Sequence, residues 1–278
     1  MKRIYIIITV VIISVFLILF LNRGEKESRS AYSKKIPSVP TVFVHGYKGT
    51  HRSFNGMLQR FEKEYQWGVK TFVYQVSPEG RIKVANSSMK TNKPVYVQVI
   101  FEDNRASFEN TSFWLASVLQ HLKKEFQIPR INIVGHSMGG IIALKYLEDH
   151  AGADALPRTE KFVAIGSPFA GIYRSDYFNV HQDQAAVDLK RGSKALEMLS
   201  TRKNRIPKEL QVLNIGSTGD DIAVTESVQS LQSLVSIEQY KEIIIEDKSL
   251  GHSALHESTQ VDKLIHDFLY GTYDGISE

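Results

Sequence analysis

The chain contains no cysteine in 278 residues. That excludes a disulfide scaffold, a Cys-based zinc site and a thiol nucleophile, whatever the fold. A strong excess of one charge is also missing, since 34 Lys plus Arg stand against 30 Asp plus Glu for a net charge of +4. Most of that excess is local, because Lys2, Arg3, Arg23, Lys26 and Arg29 face only Glu25 and Glu27 near the amino terminus. The remainder is almost neutral and offers little surface for neutralising phosphates, so no nucleic-acid partner is expected. No His-Glu-x-x-His motif, phosphate loop or dinucleotide fingerprint occurs, and neither a metal nor a cofactor is implied. Collagen-like, coiled-coil and wholly disordered chains are excluded by composition, with 18 Gly, 8 Pro and 42% apolar residues.

One long apolar run is present. Residues 4–21 carry no charge and follow Lys2 and Arg3. As a helix rising ~1.5 Å per residue they reach about 27 Å, close to the ~30 Å of bilayer hydrocarbon. No Ala-x-Ala pattern follows Leu21, which favours an uncleaved anchor over a cleaved secretory signal. A core helix is the poorest reading, because the run is apolar on all faces. The expected layout is a transmembrane signal-anchor at 1–21, a polar tether at 22–35, one catalytic domain at 36–273 and a tail at 274–278. The short basic end is placed inside and the domain outside the cell, against the opposing pull of Arg23, Lys26 and Arg29. The membrane is therefore an expected partner, with secretion after cleavage as the alternative.

Short β-branched runs recur at Thr41–Val44, Val69–Val76, 131–134, 162–165, 212–215 and 242–245. Helical spacing is clearest at 53–65, 112–126, 140–148, 193–199 and 260–269, the last placing Val261, Leu264, Ile265, Phe268 and Leu269 on one face. Strands alternating with helices predict an α/β domain with a doubly wound, mostly parallel sheet. Residues 81–85 and 95–101, joined by a polar stretch, read as a β-hairpin inserted between two βα units. The long polar segment 168–205 is expected to cap the site, its Tyr173, Tyr177 and Phe178 either lining an acyl pocket or packing the cap itself.

The chemistry concentrates in Gly135-His136-Ser137-Met138-Gly139-Gly140, which follows an apolar strand and opens an apolar helix. That is the setting in which a Gly-x-Ser-x-Gly turn presents a serine nucleophile, its glycines letting strand and helix approach. The free N–H groups and positive end of the helix point where an oxyanion would develop. On an earlier strand stands His45-Gly46-Tyr47, a loop able to turn a backbone N–H into the same crevice. Tyr47 N–H and Met138 N–H are taken as the oxyanion donors, and His45 as a loop-stabilising residue rather than the base.

An acid and a base are expected after Ser137, each following a strand. Asp220 and Asp221 compete for the acid. Asp221 is taken, on the expectation that Ile222, Ala223 and Val224 pack inward after it and leave Asp220 as a solvated turn residue. His252, in a loop directly after Gly251, is taken as the base, with His256 supporting it or starting the last helix. His266 is expected to be solvated on its helix, and His121, His150 and His181 have no comparable setting.

Together His45-Gly46, the Ser137 motif, Gly166-Ser167-Pro168-Phe169-x-Gly171 and Gly251-His252-Ser253-x-Leu255-His256-Glu257 resemble the α/β-hydrolase superfamily. More narrowly, they resemble the membrane-anchored or secreted cell-surface hydrolases of Gram-positive bacteria, a group largely without assigned substrate. The order Ser137, Asp221, His252 is similar to that of small bacterial triacylglycerol lipases. The superfamily often has proline after the acid where this chain has Thr225. The resemblance implies an esterase or lipase-like enzyme at the cell surface, acting on a small-molecule or lipid ester. Acyl transfer through the same covalent intermediate, and a non-catalytic surface-binding module, are the alternatives.

Overall fold

The computed structural model describes residues 38–86, 91–150 and 152–271. The expected anchor, tether and tail lie outside the described residues, within which no helix is long and apolar enough to cross a membrane.

Eight described strands form one sheet in the order β3-β2-β4-β1-β5-β6-β7-β8. They are β1 (Thr41–Val44), β2 (Val69–Val76), β3 (Ile82–Asn86), β4 (Val95–Phe101), β5 (Arg130–His136), β6 (Arg158–Ile165), β7 (Gln211–Ser217) and β8 (Tyr240–Ile245). All neighbours run parallel except β2 and β3. The expected antiparallel hairpin is therefore present one strand earlier than its reading from sequence. β3 folds back on β2, while β4 enters the sheet parallel to both β2 and β1. The signal lay in the Ser77–Gly80 turn, closed by Gly80 N–H on the Ser77 carbonyl at 2.8 Å, and in the buried, nearly all-apolar β4.

The helices are α1 (Asn55–Gln59), α2 (Phe108–Phe126), α3 (Met138–His150), α4 (Tyr177–Val180), α5 (Gln184–Leu189), α6 (Lys194–Thr201), α7 (Thr225–Gln229) and α8 (Thr259–Tyr270). The single helix expected over 53–65 is instead α1 followed by a π-helical turn, in which Tyr65 N–H bonds the Arg60 carbonyl five residues back. α2 starts where Ser107 accepts the Asn110 N–H and stops where Gln127 turns left-handed at φ 54°.

Alternation along the strands divides the core between the two faces. In β6, Phe162 and Ala164 join the cluster that includes Leu115, Leu119, Ile142 and Leu144 of α2 and α3. Val163 and Ile165 join the other, with Met57 of α1 and Val261, Ile265 and Phe268 of α8. α8 starts on its Ser258 cap and buries Val261, Ile265, Phe268 and Leu269 of the expected stripe, with Leu264 half-buried beside them. Its Asp262 is buried too, held bidentately by Arg60 at 2.5 and 3.0 Å.

Register brings the site together. Val44 at the end of β1 lies opposite Gly135 of β5, and His136 lies opposite Ile165 of β6. The carboxyl ends of β1, β5, β6 and β7 thus share one edge, where parallel sheets of this kind hold their ligands.

Candidate active site

Ser137 stands between β5 and α3 with φ +56°, a conformation few non-glycine residues adopt. Its neighbours permit that turn by having no side chain. A Cβ on Gly139 would lie 2.1 Å from the Val44 carbonyl oxygen, and one on Gly46 would lie 2.7 Å from Ser137 Cβ. The close approach of β1, the nucleophile turn and α3 is possible because all three meet at glycine.

Ser137 Oγ lies 2.9 Å from His252 Nε2, and His252 Nδ1 lies 2.7 Å from Asp220 Oδ2. The acid on the ring is Asp220, which corrects the expectation of Asp221. Asp220 Oδ1 accepts the N–H groups of Ile222 at 2.9 Å and Ala223 at 2.8 Å, so the following residues wrap around it in an Asx turn. That turn buries the Asp220 side chain completely and leaves Asp221 69% exposed, paired with Arg174 at 2.6 Å. Of the three residues expected to pack inward after the acid, Ala223 is buried while Ile222 and Val224 are half-buried.

His45 is buried and occupied at both nitrogens. Phe101 N–H donates to Nε2 at 3.0 Å, so Nδ1 carries the proton and donates to the Gly46 carbonyl at 2.8 Å. Burial holds its pKa below the ordinary histidine value, in keeping with a neutral ring. The same Gly46 carbonyl accepts Gly49 N–H at 3.0 Å, which fixes the peptide plane shared with Tyr47. Tyr47 N–H must then point the opposite way, as a trans peptide requires. Met138 N–H opens α3 beside Ser137.

His136 is the residue that sequence reasoning left without a role. It is buried, its Nε2 donates to the His252 carbonyl at 3.1 Å, and its ring lies 4.6 Å from that of His256. Burial, reinforced by His252 and His256, keeps its pKa well below the usual value. Its position between Gly135 and Ser137 at the end of a central strand was the available signal. His256 bonds Glu257 at 3.2 Å, and burial lowers its pKa also. His266 is stacked on Trp67 at 4.0 Å rather than simply solvated. His121 meets Tyr74 Oη at 3.0 Å, and His150 packs on Tyr146; both are away from the triad.

The segment between β6 and β7 carries α4, α5 and α6 and is tied to the Tyr47 loop. Tyr47 Oη donates to Asp183 Oδ2 at 2.6 Å, and Lys48 Nζ lies 2.8 Å from His181 Nδ1. Tyr177 packs between Tyr47 and Phe178, and Arg191 covers the Tyr173 ring at 4.2 Å. All three aromatics are half-buried and packed within the cap. Among the described residues no group of His, Asp and Glu suited to a metal is present.

Residues 28–272 match the model of a family described as "Alpha/beta hydrolase of unknown function (DUF915)". No curated protein matches the chain. Among solved structures, a gene product of Listeria innocua is 24% identical with a TM-score of 0.71, covering 87% of this chain and 96% of that one. A candidate cell surface hydrolase from Lactobacillus plantarum WCFS1 is 20% identical with a TM-score of 0.65, covering 87% and 94%. The mature lipase BlEst2 of Bacillus licheniformis is 14% identical with a TM-score of 0.55, covering 84% and 92%.

Proposed function

The chain belongs to the alpha/beta hydrolases of unknown function, DUF915, and from that premise we propose that it cleaves carboxylic esters at the cell surface through a Ser137-His252-Asp220 triad. The observation that carries this reading is the unbroken hydrogen-bonded chain from Ser137 Oγ through His252 to Asp220 Oδ2. Esters are favoured as substrate because a lipase shares the fold, and the surface location because residues 4–21 suit an anchor.

His252 Nε2 takes the Ser137 proton as Oγ bonds to the acyl carbon, and Asp220 holds the resulting imidazolium in position. The carbonyl oxygen becomes an oxyanion facing Tyr47 N–H and Met138 N–H. Loss of one such donor costs roughly 10²–10³ in turnover. His45 contributes by fixing the Gly46-Tyr47 peptide plane. Collapse breaks the ester C–O bond, the alkoxide takes the proton from His252, and the acyl group stays on Ser137. A water, giving its proton to His252, then attacks the acyl-serine; the acyl C–Oγ bond breaks, Ser137 Oγ recovers the proton from His252, and the carboxylic acid is released.

The test is labelling of the full chain with a fluorophosphonate, beside Ser137→Ala, followed by p-nitrophenyl esters of increasing acyl length. Wild type labels and Ser137→Ala does not. Equal labelling of the two would overturn the assignment.

A further inference from the structure

The segment between β6 and β7 that forms the cap is docked on the rest of the domain through contacts of its own. Ala185 and Leu189 of α5 are buried in the core, Ala185 N–H donates to the Arg105 carbonyl at 3.0 Å, and Asp188 accepts Phe108 N–H at 2.8 Å. Two further bonds reach the loop after β1. Tyr47 Oη donates to Asp183 Oδ2 at 2.6 Å, and Lys48 Nζ lies 2.8 Å from His181 Nδ1. The cap has its anchorage without them, so the element they constrain is the loop.

That loop needs constraint. Lys48 has φ +56°, a left-handed conformation that a non-glycine residue keeps only where its surroundings hold it. A peptide plane turns about the line between its two Cα atoms, so directing the Tyr47 N–H takes a hold at both ends. At the Gly46 end the carbonyl accepts His45 Nδ1–H and Gly49 N–H. At the Tyr47 end the hold is the side chain, whose hydroxyl meets a carboxylate that is itself fixed. Asp183 Oδ1 accepts Ala186 N–H at 3.1 Å where it caps α5, and Oδ2 also accepts from Arg105 at 3.4 Å. A hydroxyl on a carboxylate makes a shorter and stronger bond than one on a neutral acceptor. One residue on, Lys48 N–H donates to the Asn104 carbonyl at 2.9 Å. The Lys48 ammonium can only donate, so His181 Nδ1 accepts and the ring carries its proton on Nε2. The His181 ring lies against Tyr47 and Tyr177, at 5.5 and 4.4 Å.

We propose that Asp183 is a positioning residue for ester cleavage, with His181 as a second: through Tyr47 Oη and Lys48 Nζ, the cap holds the Tyr47 N–H toward the developing oxyanion. The inference rests on the triad reading, which gives that N–H its task. The cap is then part of the oxyanion-stabilising machinery as well as a cover. A directed donor matters most when the carbonyl oxygen has become tetrahedral and anionic. Loosening it lowers kcat, leaves KM, and weakens an inhibitor that reproduces the oxyanion.

The experiment is a double-mutant cycle on the full chain in detergent with Tyr47→Phe and Asp183→Ser. Serine still caps α5 but is too short to reach Tyr47. The four proteins are compared in p-nitrophenyl ester turnover and in inhibition by an alkyl trifluoromethyl ketone, whose carbonyl carbon bonds to Ser137 Oγ and leaves an oxyanion. Each single variant lowers kcat about tenfold with KM within about twofold, and the ketone weakens in proportion to kcat/KM. The double variant loses no more than either single, because both remove the same bond. Lys48→Met follows the same pattern with a smaller loss, about threefold. All the variants still label with a fluorophosphonate. An unchanged kcat, losses that multiply in the double variant, a rise in KM alone, or an unmoved ketone constant would each overturn the proposal and leave the triad standing. Failure of the wild type to label would overturn both.

Discussion

At the amino-terminal end of α3, glycines remove every side chain that would hold strand and helix apart, and Ser137 Oγ meets a ring whose other nitrogen is also bonded. At the carboxyl-terminal end the same helix borders a cavity of about 230 Å³ and buries Glu148, whose Oε1 has no hydrogen-bond partner. The first end spends strain, at Ser137 φ +56°, to hold one geometry. The second buries a carboxyl, Glu148, whose pKa burial pushes up to about 8. Rigid preorganisation and an open cavity thus lie at the two ends of one helix of 13 residues.

Removing the nucleophile tests the closed end hardest. Ser137→Ala should lower ester turnover by about 10⁴-fold or more while leaving thermal stability nearly unchanged, read by p-nitrophenyl ester rates and calorimetry. Asp220→Asn comes next, with kcat falling about 10³–10⁴-fold because the amide no longer holds the required imidazole tautomer. Asp221→Asn, one residue away, should change kcat less than about twofold. A reversed order in those rates would refute the placement of the acid. Gly139→Ala should cost several kcal/mol, on the order of 3 or more, in denaturant melts, since its methyl would enter the Val44 carbonyl.

Smaller effects probe titration. The Glu148 carboxyl keeps its proton to about 8 when folded, whereas the unfolded chain releases it near 4.5. Stability is therefore lost as pH rises between those values, and Glu148→Gln should flatten this dependence in melts at pH 5 and pH 8. His45 and His136 have the opposite dependence. Both stay neutral in the fold below the ordinary histidine value of 6.5, so their contribution falls away as pH drops below it.

The parallel sheet was legible because its strands are near-continuous apolar runs with helical periodicity between them. Periodicity identifies a strand without naming its partner, which is why the hairpin was placed on 81–85 and 95–101 although the Ser77–Gly80 turn joins β2 to β3. Ser137 and His252 were legible from local motifs. The choice between Asp220 and Asp221 depended on which carboxylate the following N–H groups would wrap, a turn-level detail that burial expectations alone did not resolve. His136 was hidden inside the nucleophile motif, and its partner is a backbone carbonyl 116 residues away. Glu148 gave no sequence signal, because a glutamate between Lys145 and Asp149 reads as part of a solvated helix end.

The span of the triad along the chain sets an order of events. Ser137 and His252 are 115 residues apart, and His252 follows β8, the strand at the sheet edge. A chain made from its amino terminus contains the Ser137 turn long before His252 is synthesised. Under the proposed triad, a nascent chain that ends before His252 lacks the base, so ester turnover is expected only after β8 has joined the sheet edge and the His252 loop has formed.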